Sequence, residues 1–345
     1  MNTYQPLKWI CALLLIITVS ASAGTPGTKG KYATGPDDEL VEKKKTINRS
    51  YSVSSSDKLN IENTFGTIDI KTWNKNEFKV DITITAKAAD DAEAQRLLNN
   101  IEIKEGKTGG VYSFKTKVEM NNNREGDNKK HRGDNREFQI DYAVYMPAGN
   151  PLDVENSFGK LIVADFEGLA TITNKFGELS TGRISNNNGI SSEFGSAKIA
   201  SVNGGKVTVK FGEATIGSVG GDAKIVTEYG ETKLGLNGDF KALTLINSFG
   251  GTRIDLPAGF NAGIKAECSF GELINKTGFA IKELKDEDNR YSMEKHYEGG
   301  NGSAKVNILS NFGNVRLMNP GDKDEPRKNK NKNKNKDKEK DDDEI

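Results

Sequence analysis

From residue 150 to 318 the chain alternates apolar and polar positions in short runs, as in Lys206-Val207-Thr208-Val209-Lys210-Phe211. A period of two is the mark of a strand with one buried face. The runs are cut by two kinds of turn. The first is Asn156-Ser157-Phe158-Gly159 and its copies at Phe176-Gly177, Phe194-Gly195, Phe211-Gly212, Tyr229-Gly230, Phe249-Gly250, Phe270-Gly271 and Phe312-Gly313. The second is rich in Asn and Gly: Asn186-Asn187-Asn188-Gly189, Asn203-Gly204-Gly205, Gly220-Gly221 and Asn237-Gly238. From Phe158 onward the aromatic-glycine pairs are spaced by 18, 18, 17, 18, 20, 21 and 42 residues.

A strand pair of this size cannot bury its own apolar face. Stacked copies bury a continuous core, which is the logic of a solenoid. The pattern therefore predicts an all-β fold: a β-solenoid, parallel β-helix-like, of ~18–21-residue repeats over residues 150–318, with rungs about 4.8 Å apart. The turn aromatics are expected to stack inside it as an internal ladder. The glycine after each is expected where φ is positive or the backbone passes closely. The Asn-Gly signals leave open a β-sandwich or propeller of antiparallel hairpins.

An earlier copy, Leu59-Asn60-Ile61-Glu62-Asn63-Thr64-Phe65-Gly66-Thr67-Ile68-Asp69-Ile70, follows the plan of Leu152 to Val163. The insertion between them carries a strand pattern at Phe78 to Ala86. A short helix follows at Asp90 to Asn99, then strands at Val111 to Met120 and Phe138 to Met146, with a polar loop from Asn121 to Arg136. Residues 47–149 thus read as an N-terminal strand repeat plus a small inserted α+β lobe that caps the solenoid. A second insertion, Lys282 to Tyr297, reads as a projecting hairpin or loop. Residues 24–46 read as a flexible leader, and 319–345, with their Lys-Asn alternation and acidic end, as a disordered charged tail.

Lys8, the apolar run Trp9 to Val19 and the Ala21-Ser22-Ala23 cleavage pattern mark residues 1–23 as a signal peptide. The run is too short to span a membrane, and no transmembrane segment is expected after cleavage. Cys11 lies early in that run, not after it, so no lipid anchor is expected. Cleavage leaves Cys268 as the sole thiol and no disulfide. Lys plus Arg and Asp plus Glu each total 49, so net charge gives no reason to expect nucleic acid.

Chemistry is sparse. His131 and His296 fall in polar insertions and read as solvated residues. Metal-protease, phosphate-loop and nucleophile-elbow motifs are missing. No catalytic, cofactor-binding or metal-ligating set is assigned. Glu178, Glu213, Glu231 and Glu272 follow the aromatic turns. Glu213 and Glu231 belong to consecutive turns, about 5 Å apart, near the carboxylate separation of retaining glycosidases. Their row also holds Lys160, Ser196, Gly251 and Asn314, so solvated surface charge is the better reading, ahead of catalysis or calcium bridging. Arg132-Gly133-Asp134 is a chance tripeptide. Cys268, two before its aromatic like Asn156 and Asn247, reads as a small buried residue.

The signal peptide, Ile61 to Ile68, the Thr72-Trp73-Asn74-Lys75-Asn76-Glu77 turn and the repeated Asn-x-Phe-Gly units resemble a family of exported bacterial β-repeat proteins, the DUF4097-type "putative adhesins" abundant in Bacteroidetes. The resemblance covers roughly residues 50–318. It implies a non-enzymatic, adhesin-like binding or scaffold module at the cell envelope, in the periplasm, on the outer surface or secreted. Its partner would be an envelope or extracellular glycan or protein. No site residue carries over from the family. A polysaccharide-active enzyme on the same scaffold, and an envelope sensor using the inserted lobe, are the alternatives.

Overall fold

The structure, a computed structural model, describes residues 40–119, 136–284 and 293–323. The signal segment, His131, Arg132-Gly133-Asp134 and the Lys-Asn tail lie outside the described residues. The N-terminal part runs β1 (Val41–Ser52), β2 (Lys58–Trp73), β3 (Glu77–Ala88), α1 (Asp91–Asn99), β4 (Ile101–Thr108), β5 (Val111–Val118) and β6 (Glu137–Pro147). The repeats follow as β7 (Leu152–Val163), β8 (Phe166–Lys175), β9 (Gly177–Glu193), β10 (Ser196–Lys210), β11 (Glu213–Glu228), β12 (Glu231–Ser248) and β13 (Gly251–Asp255). The chain ends in β14 (Ala262–Ser269), β15 (Leu273–Asn275), β16 (Ile281–Leu284), β17 (Glu294–Asn311) and β18 (Val315–Met318).

The repeats pair in parallel and in register, so the solenoid expectation holds and the hairpin sandwich does not. β9 pairs with β10, β10 with β11, and β11 with β12. Register places like residues above one another. Ile172, Ile190, Val207, Ile225, Leu245, Ile308 and Ala266 form one inward row on the strands before the aromatic turn. Ile70, Val163, Thr181, Ile199, Ile216, Leu234, Ile254 and Leu317 form another on the strands after it. All of these are buried.

The turn itself corrects one expectation. From Phe176 onward it is the aromatic residue, not the glycine, that takes the left-handed backbone, with φ of 53° to 56°. Only the first two glycines of the series, Gly66 and Gly159, have positive φ. The later glycines are required by close approach. A Cβ on Gly195 would lie 1.8 Å from the Gly177 carbonyl oxygen, and one on Gly212 would lie 1.9 Å from that of Gly195. Each aromatic N–H donates to the next rung: Phe176 to the Glu193 carbonyl at 2.8 Å, Phe194 to Lys210 at 2.9 Å, Phe211 to Glu228 at 2.8 Å.

The second correction concerns the rings. They stack, with centroids 4.5–5.1 Å apart and planes within 2–13° of parallel, from Phe65 through Phe158, Phe176, Phe194, Phe211, Tyr229 and Phe249 to Phe312 and Phe270. Yet the ladder lies on the outer edge: Phe211 is 46% exposed and Phe270 57%. A left-handed residue at a tight corner projects its side chain away from the core. A left-handed non-glycine costs about 1–2 kcal/mol, and a stacked aromatic pair returns about 0.5–1.5 kcal/mol. The rings therefore roughly offset their own strain and do not hold the turn alone.

What faces inward at this corner is mostly polar, with Val209 and Cys268 as exceptions. Asn63, Asn156, Asn174, Ser192, Val209, Thr227, Asn247, Ser310 and Cys268 sit two residues before each aromatic, in register and buried. Asn156 Nδ2 donates to the Gly66 carbonyl at 3.1 Å. Asn247 Nδ2 donates to the Gly250 carbonyl at 2.9 Å and to Ser310 Oγ at 3.0 Å, and its Oδ1 accepts from Thr227 and Thr252. Ser310 Oγ donates to the Gly313 carbonyl at 3.0 Å. These bonds satisfy turn carbonyls that the tight corner leaves without a ladder partner.

The chain order breaks at the C-terminal end. β12 pairs not with β14 but with β17, Leu245 opposite Ile308. β14 then pairs with the far side of the same segment, Ala266 opposite Ile308, while β18 lies between β13 and β15. The last strands are thus threaded between two earlier rungs. The glycines confirm the order: a Cβ on Gly313 would meet the Gly250 oxygen at 1.8 Å, and one on Gly271 would meet that of Gly313 at 2.1 Å. The spacing of 42 is a detour, not a skipped rung. The detour holds β16 and the start of β17, antiparallel to each other with Ile281 opposite Gly299.

At the other end the inserted strands continue the stack. β5 and β6 lie parallel to the two halves of β2, opposite β7. β4 pairs antiparallel with β5, β3 with β6, and β1 with β3. Two expectations change here. Val41 to Thr46, read as leader, are already strand, and Ile101–Thr108 is a strand the pattern did not show. Asp90 caps α1 through Glu93 N at 2.8 Å, and the buried Ala94 and Leu98 lay the helix on β1 and β3.

The inner polar row makes a paired prediction. Asn247→Ala removes four hydrogen bonds and should cost about 2–3 kcal/mol. Neither amide atom of Asn174 has a hydrogen-bond partner, so Asn174→Ala should cost clearly less. Urea unfolding of the two variants measures the difference.

Candidate binding surface

The solenoid offers an aromatic edge and two flat outer faces. On the edge the rings run roughly 40 Å at about 4.8 Å per rung. Each ring face is covered by its neighbours, so only ring edges meet solvent. A sugar stacks on an aromatic face, and such a face is open only at the ladder's end. Phe138 closes the Phe65 end, edge-on at 4.8 Å. Phe270, the last ring, is the most exposed of the series.

On the face before the aromatic turn, Lys175, Glu193, Lys210 and Glu228 alternate in sign on consecutive rungs. Lys210 Nζ lies 3.1 Å from Glu228, and Lys175 Nζ lies 2.8 Å from Glu155. One row further from the turn, Thr173, Ser191 and Thr208 give way to Val226, Ile246 and Leu309. This face therefore changes from polar to apolar toward the C-terminal end.

On the face after the turn, the acidic row is where the sequence placed it. Glu213 and Glu231 sit on adjacent rungs, both exposed, with Ser196 and Gly251 beside them. Glu178 is held between Lys160 at 3.3 Å and Lys198 at 3.9 Å, and Glu272 lies 3.5 Å from Lys295. A glycosidase acid needs an apolar enclosure to keep its proton near neutral pH. An open sheet face gives Glu213 and Glu231 none.

The inserted strands add an aromatic patch. Trp73 and Tyr145 lie 5.4 Å apart, with Lys75 over the Trp73 ring and Lys71 and Lys79 on either side of Tyr145. Lys71 pairs with Asp69 and Lys79 with Asp81, at 3.1 and 2.7 Å. The patch is therefore close to neutral.

Cys268 is buried beside Ser310, and burial pushes its thiol up to about 11, so it is held as the unreactive thiol. His296 departs from expectation. It lies on β17, not in a loop, opposite Glu267 of β14, with Nε2 3.1 Å from Glu294. Glu267, Glu294 and His296 are the residues here that could hold a metal ion. Sequence reasoning missed them because the arm at the start of β17 folds back antiparallel onto β14, which brings residues 294–296 beside Glu267. A groove of about 330 Å³ runs beside them, lined by Leu284, Tyr297 and Leu309 among others. Among the described residues no helix is long and apolar enough to cross a membrane.

No family model matches the chain, and no curated protein matches it. Solved structures do. A "putative adhesin" from Bacteroides fragilis is 10% identical, with a TM-score of 0.41, covering 79% of this chain and 97% of its own. A "putative adhesin" from Parabacteroides distasonis is 9% identical, with a TM-score of 0.34, covering 79% and 97%. A "putative cell adhesion protein" from Clostridium sporogenes is 12% identical, with a TM-score of 0.22, covering 79% and 98%. Likeness this distant carries neither ligand nor activity across.

The edge ladder can be tested by its ends. Phe211→Ala loses two stacking partners and should cost about 1–3 kcal/mol, whereas Phe270→Ala loses one and should cost about half as much. Chemical unfolding of both variants checks the ratio.

Proposed function

We propose that the protein is a non-enzymatic, exported binding or scaffold module of the bacterial cell envelope, of the DUF4097-type adhesin-like family. The observation that carries this reading is the outer surface of the solenoid. It is an extended set of in-register rows whose carboxylates, among the described residues, are spread along open faces, several of them ion-paired. Solenoids use such surfaces to engage partners over many rungs. Export is supported by Lys8, the apolar run to Val19 and Ala21-Ser22-Ala23. The names of the structural neighbours agree with the reading. The polysaccharide-active alternative has Glu213 and Glu231 at suitable spacing but without enclosure. The sensor alternative would place contact on the inserted strands, where Trp73 and Tyr145 lie.

The test is a glycan-array and whole-envelope pull-down with the mature chain, residues 24–345, beside a version ending at Pro320. Binding kept by the shorter form supports recognition by the solenoid or its inserted strands. Binding lost with the tail reduces the effect to charge attraction. Binding by neither form overturns the adhesive reading.

A further inference from the structure

We propose that Glu267, Glu294 and His296 bind one divalent transition-metal ion of the zinc class on the outer face of the terminal rung. The geometry follows from strand pairing. Glu267 on β14 stands opposite His296 on β17, and Glu294 lies two residues before His296, so all three project from the same face. A ligand atom from each lies within 4.8 Å of the others, and His296 Nε2 is 3.1 Å from Glu294 Oε1. Donors bound at about 2.0–2.2 Å to a tetrahedral ion stand roughly 3.3 Å apart. The His296–Glu294 pair is already near that separation. Glu267 reaches it by rotating a long, exposed side chain.

The site differs in kind from the acids around it. Several carboxylates on these faces meet lysines, as Glu228 meets Lys210 and Glu178 meets Lys160. A lysine adds charge but no ligand to a metal. Here an imidazole stands beside two carboxylates and offers a lone pair. Lys265, the cation beside the cluster on β14, is engaged with Glu298 at 3.2 Å. The donor set also selects the ion. One imidazole and two carboxylates suit zinc and its neighbours, with a position left for water or an outside ligand. Calcium asks for six to eight oxygens, more than these side chains supply.

The ion would tie together parts of the chain that the sequence separates. β14 belongs to the last rung, while the start of β17, with β16, is the arm that covers it. Among the described residues no further rung stacks beyond that arm, so its attachment closes the C-terminal end of the core. The groove bounded by Leu284, Tyr297 and Leu309 opens beside the site and gives the vacant position an apolar wall. The inference stands apart from the adhesive reading, since a metal closing the end of the stack does not need an envelope ligand.

The test uses the mature chain, residues 24–345, stripped with chelator and titrated with Zn²⁺ by calorimetry and with Co²⁺ by visible absorption. Zn²⁺ should bind saturably at one ion per chain. Co²⁺ should give the intense d–d bands of a four-coordinate site. His296→Ala and Glu267→Gln should each weaken binding at least tenfold and remove the zinc-dependent rise in Tm. Glu213→Gln and His131→Ala should leave both unchanged. Folding of each variant is checked by circular dichroism, and the Co²⁺ spectrum reports the site without relying on stability. No saturable binding would overturn the proposal. So would binding unchanged by His296→Ala, or equal binding of Ca²⁺ and Zn²⁺.

Discussion

The structure depends on one constraint: each rung must come so close to the next at the aromatic corner that a Cβ has no room. A Cβ on Gly177, Gly195, Gly230 or Gly313 would stand 1.8 Å from the carbonyl oxygen of the glycine in the neighbouring rung. Everything else at the corner follows. From Phe176 onward the residue before the glycine turns through a left-handed conformation, while at Gly66 and Gly159 the glycine itself does so. The aromatic ring is thrown outward and can only stack on its neighbours. Several turn carbonyls take donors from buried side chains two positions before the aromatics: Asn156 donates to Gly66, Asn247 to Gly250 and Ser310 to Gly313.

This arrangement makes the core thin and the surface regular. Inward rows made mainly of Val, Ile and Leu form the apolar core, and the largely polar row lines the aromatic corner. Because register is fixed at every rung, outer residues also fall into rows, and the chemistry of a face can be read along the stack. Charges on these rows meet opposite charges on the next rung and contribute little stability each, since exposed pairs are worth about 0–1 kcal/mol. Specificity would come from the ends of the stack, where rows stop. Phe270, His296 and the groove beside them gather at one end. Trp73 and Tyr145 lie on the inserted strands at the other.

Much of the fold was legible in the sequence because the repeat is dense. Alternation gave the strands, the aromatic-glycine pairs gave the corners, and Asp90 marked the start of α1. The side of the ladder was not legible. Phe or Tyr at every turn looks like core by composition, and only the geometry of the corner sends the ring outward. The polar row at Asn156, Thr227 and Asn247 was visible as a motif but not as a buried network, because Val209 and Cys268 interrupt it. The order of the last rungs was hidden for a topological reason. Spacing along the chain cannot tell a skipped rung from a detour, so Phe312 seemed to follow Phe270 when it stacks between Phe270 and Phe249. The meeting of Glu267 with His296 was lost because the fold-back of residues 294–299 onto β14 leaves no mark in the repeat spacing.

The threaded order is the claim most open to a direct check. In a Cys268→Ser background, two double variants are compared under mild oxidation: Ile246→Cys with Leu309→Cys, and Ile246→Cys with Glu267→Cys. Ile246 stands opposite Leu309 on the neighbouring strand, while Glu267 is one strand further away. Neighbouring strands about 4.8 Å apart fall within the 4.4–6.8 Å that a disulfide spans, and a second strand at about 9.6 Å does not. The account predicts that the first pair forms an intramolecular disulfide and the second does not. A disulfide between residues 246 and 267, with none between 246 and 309, would mean that the rungs follow chain order and would contradict the threaded stack.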